Sequence, residues 1–259
     1  MKTEILIVSY AKDLPYLRYC LKSIVKFATG FSGVVVLVPE QEKEQMLDTM
    51  LVLHNVPSRM LAYQRVPNPA QWHLNAQLQK CHADQHCHQA DFIAHMDSDC
   101  VFTQPVTPED YFVGGKPVMC IEAYTRLTDC PWQQVTARAL GFVPTHETMR
   151  RHPQVNPRGV YPALRAYLEG IHHQPFDQYV LGQKADFPWG FTEHNTIGSF
   201  ARASRKWSQE YHWVDLETQP WPPHKLLQFW SLSPPDVEQP LPSGGRGLPL
   251  NEFKRLGLA

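Results

Sequence analysis

Apolar residues open the chain in a short unbroken run, Ile5-Leu6-Ile7-Val8, between polar Thr3-Glu4 and Ser9-Tyr10. A continuous run of that length suits a strand buried on both faces, as a parallel sheet requires. The period then changes. Leu17, Cys20, Leu21, Ile24 and Phe27 recur at helical spacing, Asp13 stands at a capping position with Pro15 in the first turn, and Gly30 and Gly33 close the segment. Val34 to Val38 reads as a second buried strand stopping at Pro39-Glu40, and Met46, Leu47, Met50 and Leu51 mark one face of a second helix. Pro67 and Pro69 bracket a turn before a third helix, with Leu74, Leu78 and Cys81 on one face and Gln71, Asn75 and Lys80 elsewhere. A third strand, Asp91 to Met96, runs straight into Asp97-Ser98-Asp99. This alternation predicts an α/β class, a mostly parallel sheet flanked by helices, with ligands at the carboxyl ends of the strands. Asp97 and Asp99 fall at such an end.

The second half is less regular. Val118-Met119-Cys120-Ile121 predicts a strand and Tyr161 to Leu168 a helix, while Pro220, Pro222, Pro223, Pro234, Pro235, Pro240 and Pro242 with Ser243-Gly244-Gly245 favour an irregular extension. There is no internal repeat and no charge block. The length of 259 residues suits one large domain or two small ones, and 43% hydrophobic with 19% charged residues excludes a disordered, coiled-coil or fibrous chain. No apolar run approaches a membrane helix or a signal h-region, so the expectation is a soluble, cytoplasmic protein without a membrane span. Six cysteines, Cys20, Cys81, Cys87, Cys100, Cys120 and Cys130, lack framework spacing and suit reduced thiols. The 24 basic and 25 acidic residues nearly cancel, so nucleic-acid binding would need a local patch.

Two carboxylates one residue apart at the end of a buried strand are expensive unless a positive group lies against them. A divalent cation answers that need: hard oxygen ligands suit Mg²⁺ or Mn²⁺, which keep open positions for water and phosphate oxygens. The same tripeptide also suits a loop whose carboxylates cap the next turn. A second cluster, Cys81-His82-Ala83-Asp84-Gln85-His86-Cys87-His88, has the ligand density of a zinc site without a C-x₂-C pair, and equally suits a solvated helix terminus.

With a βαβα start through Val8-Ser9-Tyr10, then Gln77 and Lys80 on the helix before the strand that ends in Asp97-Ser98-Asp99-Cys100-Val101-Phe102, the chain resembles the nucleotide-sugar glycosyltransferases of the GT-A fold. Asp97 and Asp99 match their DxD motif. Pro188-Trp189-Gly190-Phe191-Thr192-Glu193-His194-Asn195-Thr196-Ile197-Gly198 resembles the aromatic-Ser/Thr-Glu-aromatic motif of one subgroup, with His194 where a tyrosine is usual. The resemblance covers roughly residues 3 to 200 in element order. It implies a Rossmann-like GT-A domain over 1–219, with a nucleotide-binding half (1–103) and an acceptor half (104–219), and a Pro-rich extension (220–259) packing on the active site. It further implies that Ser9, Tyr10, Asp13, Glu40, Lys80, Asp97 and Ser98 hold the nucleotide-sugar, and that Asp97 and Asp99 bind Mn²⁺ or Mg²⁺. A histidine from the C-terminal third would join the metal shell, the candidates being His194, His212 and His224, with His224 first and His212 next.

Departure of a diphosphate and deprotonation of an attacking hydroxyl are the two needs of such a transfer. Glu193 is the expected base, since Thr192 is placed to cap a helix whose first turn favours an ionised carboxylate, which makes inversion the expected course; an ordinary first-turn acid is the plain alternative. Tyr124, Trp189, Phe191 and His194 are expected on the acceptor side, among aromatics that include Trp132, Tyr161, Trp213 and Trp221. Six arginines (126, 138, 150, 151, 158, 165) face three acids (Asp129, Glu147, Glu169) between Arg126 and His173. That excess suits an acceptor phosphate, so the expected acceptor is a glycan or a hydroxymethylated pyrimidine base in DNA, or else the segment is a balanced surface. No obligate protein partner is evident. The alternatives are a Mg²⁺-dependent nucleotidyltransferase or phosphohydrolase, which ordinarily wants a Gly-rich phosphate loop absent from the first hundred residues, and a non-catalytic carbohydrate-binding module.

Overall fold

The computed structural model describes residues 1–128, 130–150, 152–186, 190–219, 225–229 and 250–259. The elements run β1 (Thr3–Val8), α1 (Leu14–Phe27), β2 (Gly33–Pro39), α2 (Lys43–Met50), β3 (Ser58–Tyr63), α3 (Trp72–Cys81), α4 (Ala83–His86), β4 (Phe92–His95) and β5 (Cys100–Phe102). They continue with β6 (Phe112–Val113), β7 (Lys116–Ala123), α5 (Trp132–Leu140), β8 (His146–Glu147), β9 (Gln154–Pro157), α6 (Val160–His172) and α7 (Phe176–Leu181). Last come α8 (Glu193–Ala203), β10 (His212–Asp215), β11 (Leu226–Gln228) and α9 (Leu250–Arg255). The class is mixed α/β, as the alternation predicts, and no helix among the described residues is long and apolar enough to cross a membrane.

The chain forms two compact units that interleave in sequence. One comprises Thr3–Gln64, Met96–Asp110 and Pro223–Ala259 and carries Asp97; the other comprises Met1–Lys2, Arg65–His95 and Tyr111–Pro222 and carries Glu193.

In the Asp97 unit, β3, β2 and β1 lie side by side and parallel, with Ile5 opposite Val34 and Val35 opposite Arg59. β1 and β2 are buried at every position, the reason they read as unbroken apolar runs. β3 escapes the hydrophobic pattern because only Tyr63 of its six residues is buried. Its Arg59 forks onto Glu4 of β1 at 2.7 and 2.9 Å, past Gly33 of β2, where a Cβ would stand 3.3 Å from the Glu4 carboxylate. The apolar face of α1 is buried through Leu17, Cys20, Leu21 and Ile24. Phe229, Phe253, Leu256 and Leu258 from the C-terminal extension join Tyr16 and Val101 in one core cluster, so the described part of that extension is structural.

The Glu193 unit is built on β7, which pairs parallel with β10 and antiparallel with β6 and β8, and on the antiparallel pair β4 and β9. Helices α3, α5 and α6 pack against α8, which is buried from Glu193 to Ala201. At Gly198 the approach is so close that a Cβ would meet the Thr148 hydroxyl at 2.3 Å, and Asn195 accepts the Thr148 N–H at 2.9 Å. Helix and loop are thereby locked in register.

Candidate functional site

In the Asp97 unit the chain turns immediately after Asp97. The Cys100 N–H closes the turn on the Asp97 carbonyl at 3.0 Å, and the Phe229 N–H donates to the Asp99 carbonyl at 2.8 Å. β11 pairs antiparallel with β5 so that Gln228 lies opposite Cys100. This register brings the Gln228 Nε2 to 3.5 Å from both Asp97 Oδ2 and Asp99 Oδ1. Two carboxylates thus share one partially positive donor. Sequence reading gives no hint of Gln228, since it arrives by strand pairing from 129 residues further on.

Ser98 points the other way and donates to Asp13 Oδ2 at 3.2 Å, with both side chains buried. Asp13 stands at the N-cap of α1 with Pro15 behind it, as expected, but makes no capping bond; its carboxylate is spent on the Asp97–Asp99 turn instead. The local field is negative. Burial pushes the Cys20 and Cys100 thiols well above their ordinary range, and the charges of Asp99 and Asp97 add to it. The Tyr16 phenol is raised by burial, then by Asp99 and Asp13. The Ser9 hydroxyl, just past β1, is buried without a hydrogen-bond partner among the described residues, while Tyr10 is half-buried and Glu40 is exposed beyond β2. A hard oxygen set of this density fits Mg²⁺ or Mn²⁺ rather than a soft-ligand metal.

In the Glu193 unit Thr192 takes the N-cap of α8 in extended backbone (φ −143°), although its hydroxyl bonds the Asn195 side chain at 3.4 Å rather than the helix backbone. Glu193 is 4% exposed. Its Oε1 receives Lys80 Nζ of α3 at 2.7 Å and lies 3.4 Å from His194 Nε2. Lys80, expected on the nucleotide, is therefore seen holding a carboxylate of its own unit.

Behind them runs a buried polar network that the sequence conceals. Gln154 Nε2 donates to the carbonyls of Thr148 and His194, each at 3.2 Å. That fixes the amide, so its Oε1 must accept, from Asn156 and from His194 Nδ1, both at 3.2 Å. His194 consequently carries its proton on Nδ1 and turns Nε2 toward Glu193. Tyr211 donates to Asn156 Oδ1 at 2.9 Å, Asn156 donates to Tyr161 at 3.3 Å, and Tyr161 pairs with His95 at 2.6 Å. Burial drives both phenols well above their ordinary range, which keeps them neutral. The rings of His95 and His152 stand 5.6 and 5.1 Å from that of His194. His95 precedes Asp97 by two positions in the chain. Alternating buried polar residues in Gln154-Val155-Asn156 give no apolar signature, so neither the strand nor its chemistry shows in the pattern.

Of the other expected residues, Phe191 is buried two positions before Glu193, and Tyr124 is buried after β7 with its phenol raised by burial. Trp189 and His224 lie outside the described residues. His212 begins β10, and Trp132 and Trp213, among the further aromatics, are half-buried. The ligands around Cys81 do not form a metal-ligating cluster among the described residues: His82 bonds Asp177 at 2.8 Å, His86 bonds Gln79 at 3.2 Å, and Cys81 and Cys87 are buried. Three of the six arginines between Arg126 and His173 meet carboxylates. Arg150 pairs with Glu122 and Glu147 at 2.7 Å, Arg165 forks onto Asp84, and Arg126 lies 3.8 Å from Glu217.

None of the curated proteins compared with this chain matches it. A family described as being of unknown function, DUF6492, matches residues 5–226 and so takes in the Asp97–Asp99 turn, Glu193 and the polar network. The chain belongs to the DUF6492 family.

Proposed function

We propose that the protein is a metal-dependent glycosyltransferase of GT-A type, moving a sugar from a nucleotide-sugar to a hydroxyl acceptor with inversion. The observation that carries this reading is the sharing of one Gln228 N–H donor by Asp97 and Asp99 at the end of a buried strand. Asp97 and Asp99 would hold Mn²⁺ or Mg²⁺ through hard carboxylate oxygens. When bound, such a cation offsets the charge of a departing diphosphate. The protein's own residues do the rest. The Ser98–Asp13 bond holds the turn, and Ser9, whose hydroxyl has no hydrogen-bond partner among the described residues, Tyr10 and Glu40 offer polar groups beyond β1 and β2 for a nucleoside.

Glu193 takes the proton of the attacking hydroxyl. Its contacts with Lys80 and His194 both fall on Oε1, which leaves Oε2 for that task, while Lys80 holds the carboxylate in place and Gln154 holds His194 in one tautomer. The donor is a UDP-sugar in the first instance, and the acceptor a glycan or a hydroxymethylated pyrimidine in DNA.

The test is sugar transfer to a panel of glycans and to hydroxymethylated DNA, comparing wild type with Glu193→Gln. Transfer by the wild type, with a turnover loss of about 10²–10⁴-fold in the variant at unchanged donor affinity, supports the reading. Equal transfer by both removes Glu193 from the role of base.

A further inference from the structure

A pocket lies at the C-terminal end of α8. Gly141, at φ 73°, ends α5 and starts the loop Phe142-Val143-Pro144-Thr145-His146. That loop and the last turns of α8, through Ser199, Arg202 and Ala203, enclose a pocket of about 160 Å³. Two of its polar groups have no hydrogen-bond partner among the described residues. The Ser199 hydroxyl is buried in a residue only 4% exposed, and one terminal nitrogen of the Arg202 guanidinium is buried as well. Buried donors in folded proteins are almost always met, and a charged one is the most expensive to leave.

No carboxylate lies within ion-pair distance of Arg202 among the described residues. Asp215 acts on it only at longer range, and burial holds the guanidinium below its ordinary range. His146 completes the lining, with its Nδ1 2.8 Å from the Thr145 hydroxyl. Its ring is held below its ordinary range by burial and then by the Arg202 charge, which places it in that cation's field. Val143, 68% exposed, gives the rim an apolar edge.

We propose that this pocket binds an oxyanion group, a carboxylate or a phosphate, carried on a small apolar stem. Arg202 and Ser199, one turn apart on α8, donate to the oxygens, and the Phe142-Val143-Pro144 loop covers the stem. The volume equals about five waters at roughly 30 Å³ each, room for one such group and a short stem. The site is independent of the glycosyltransferase reading.

The experiment is calorimetric titration of the full chain at fixed ionic strength with inorganic phosphate, phenyl phosphate, acetate and benzoate. It is repeated for Arg202→Met, Ser199→Ala and, as a control on the other unit, the exposed Arg18→Met. Saturable binding by one anion class is expected, tighter with the phenyl stem. It should weaken by about tenfold or more in Arg202→Met and by about fivefold in Ser199→Ala, with Arg18→Met unchanged. Preference between the phosphate and carboxylate arms names the group. Ser199→Ala removes one oxygen from a helix and keeps the proposal testable should Arg202→Met not fold. The absence of saturable binding in the wild type would mean that water alone fills the pocket, and equal binding in all variants would place the anion elsewhere. Either result overturns the proposal.

Discussion

Lys80→Met is the most informative single perturbation of the Glu193 unit. Lys80 Nζ lies 2.7 Å from Glu193 Oε1, with the two side chains 13% and 6% exposed, so neither charge is well hydrated. With an effective dielectric of about 20, attraction at that distance is worth about 6 kcal/mol, most of it offset by the desolvation of both ions. Removing one partner strands the other, which costs about 3–5 kcal/mol for a buried pair. His194 Nε2, at 3.4 Å from the same oxygen, carries no proton to offer in the Nδ1–H tautomer, so the full range of about 3–5 kcal/mol is expected. Methionine keeps the apolar stem against its neighbours and confines the change to the charge. Urea denaturation followed by tryptophan fluorescence, on Lys80→Met, Glu193→Gln and the double variant, supplies a thermodynamic cycle. A coupling energy of about 1.5 kcal/mol or more is expected. If the single substitutions add within about 0.5 kcal/mol, the pair behaves as a solvated surface bridge and the account of a buried, held carboxylate fails.

Gly198→Ala puts a methyl 2.3 Å from the Thr148 hydroxyl and 2.5 Å from its Cβ, and is expected to cost about 1–3 kcal/mol by overpacking, read as a fall in melting temperature. Thr148→Ala in the same chain should restore only part of that loss, because the Cβ contact remains. Gln154→Leu leaves the His194 Nδ1–H and an Asn156 N–H without their acceptor, and should cost about 2–3 kcal/mol in a urea titration; a change under half a kilocalorie would show that the network is not tightly held. The Tyr179 phenol, stacked 3.8 Å from His172, is pushed up to about 12 by burial. The fold therefore retains a proton that the unfolded chain releases above its ordinary value of 10.0, so stability falls as pH rises from there toward 12. Melting temperatures across that window should fall less steeply for Tyr179→Phe, and parallel curves would contradict the assignment.

How much of this was legible in the sequence depends on the kind of signal each part leaves. β1, β2 and α1 show plainly, because full burial of Ile5 to Val8 and Val34 to Val38, and the one-sided burial of Leu17, Cys20, Leu21 and Ile24, write themselves as runs and periods. β3 does not, since Ser58 to Ala62 stay partly exposed and Arg59 is there to meet Glu4. The Asp97-Ser98-Asp99 turn is legible as chemistry, whereas its partners Gln228 and Asp13 depend on tertiary pairing across the chain. The Thr192-Glu193 helix start shows through its capping residue, yet the Gln154–Asn156–Tyr161–His95 network is silent: polar residues in a buried strand mimic a loop until their partners are known. Ligand density misleads in the opposite sense around Cys81 to His88, where His82 and His86 turn to Asp177 and Gln79.

The central claim rests on Asp97 and Asp99 as the metal ligands of a nucleotide-sugar site. Its most direct test is the slow release of nucleotide from UDP-, GDP- and CMP-sugars by the protein with Mn²⁺ and no acceptor, for wild type and Asp99→Ala. Release from one donor that disappears on chelating the metal and in Asp99→Ala is the predicted result. Hydrolysis of no donor, or hydrolysis that survives both the chelator and the substitution, would contradict it.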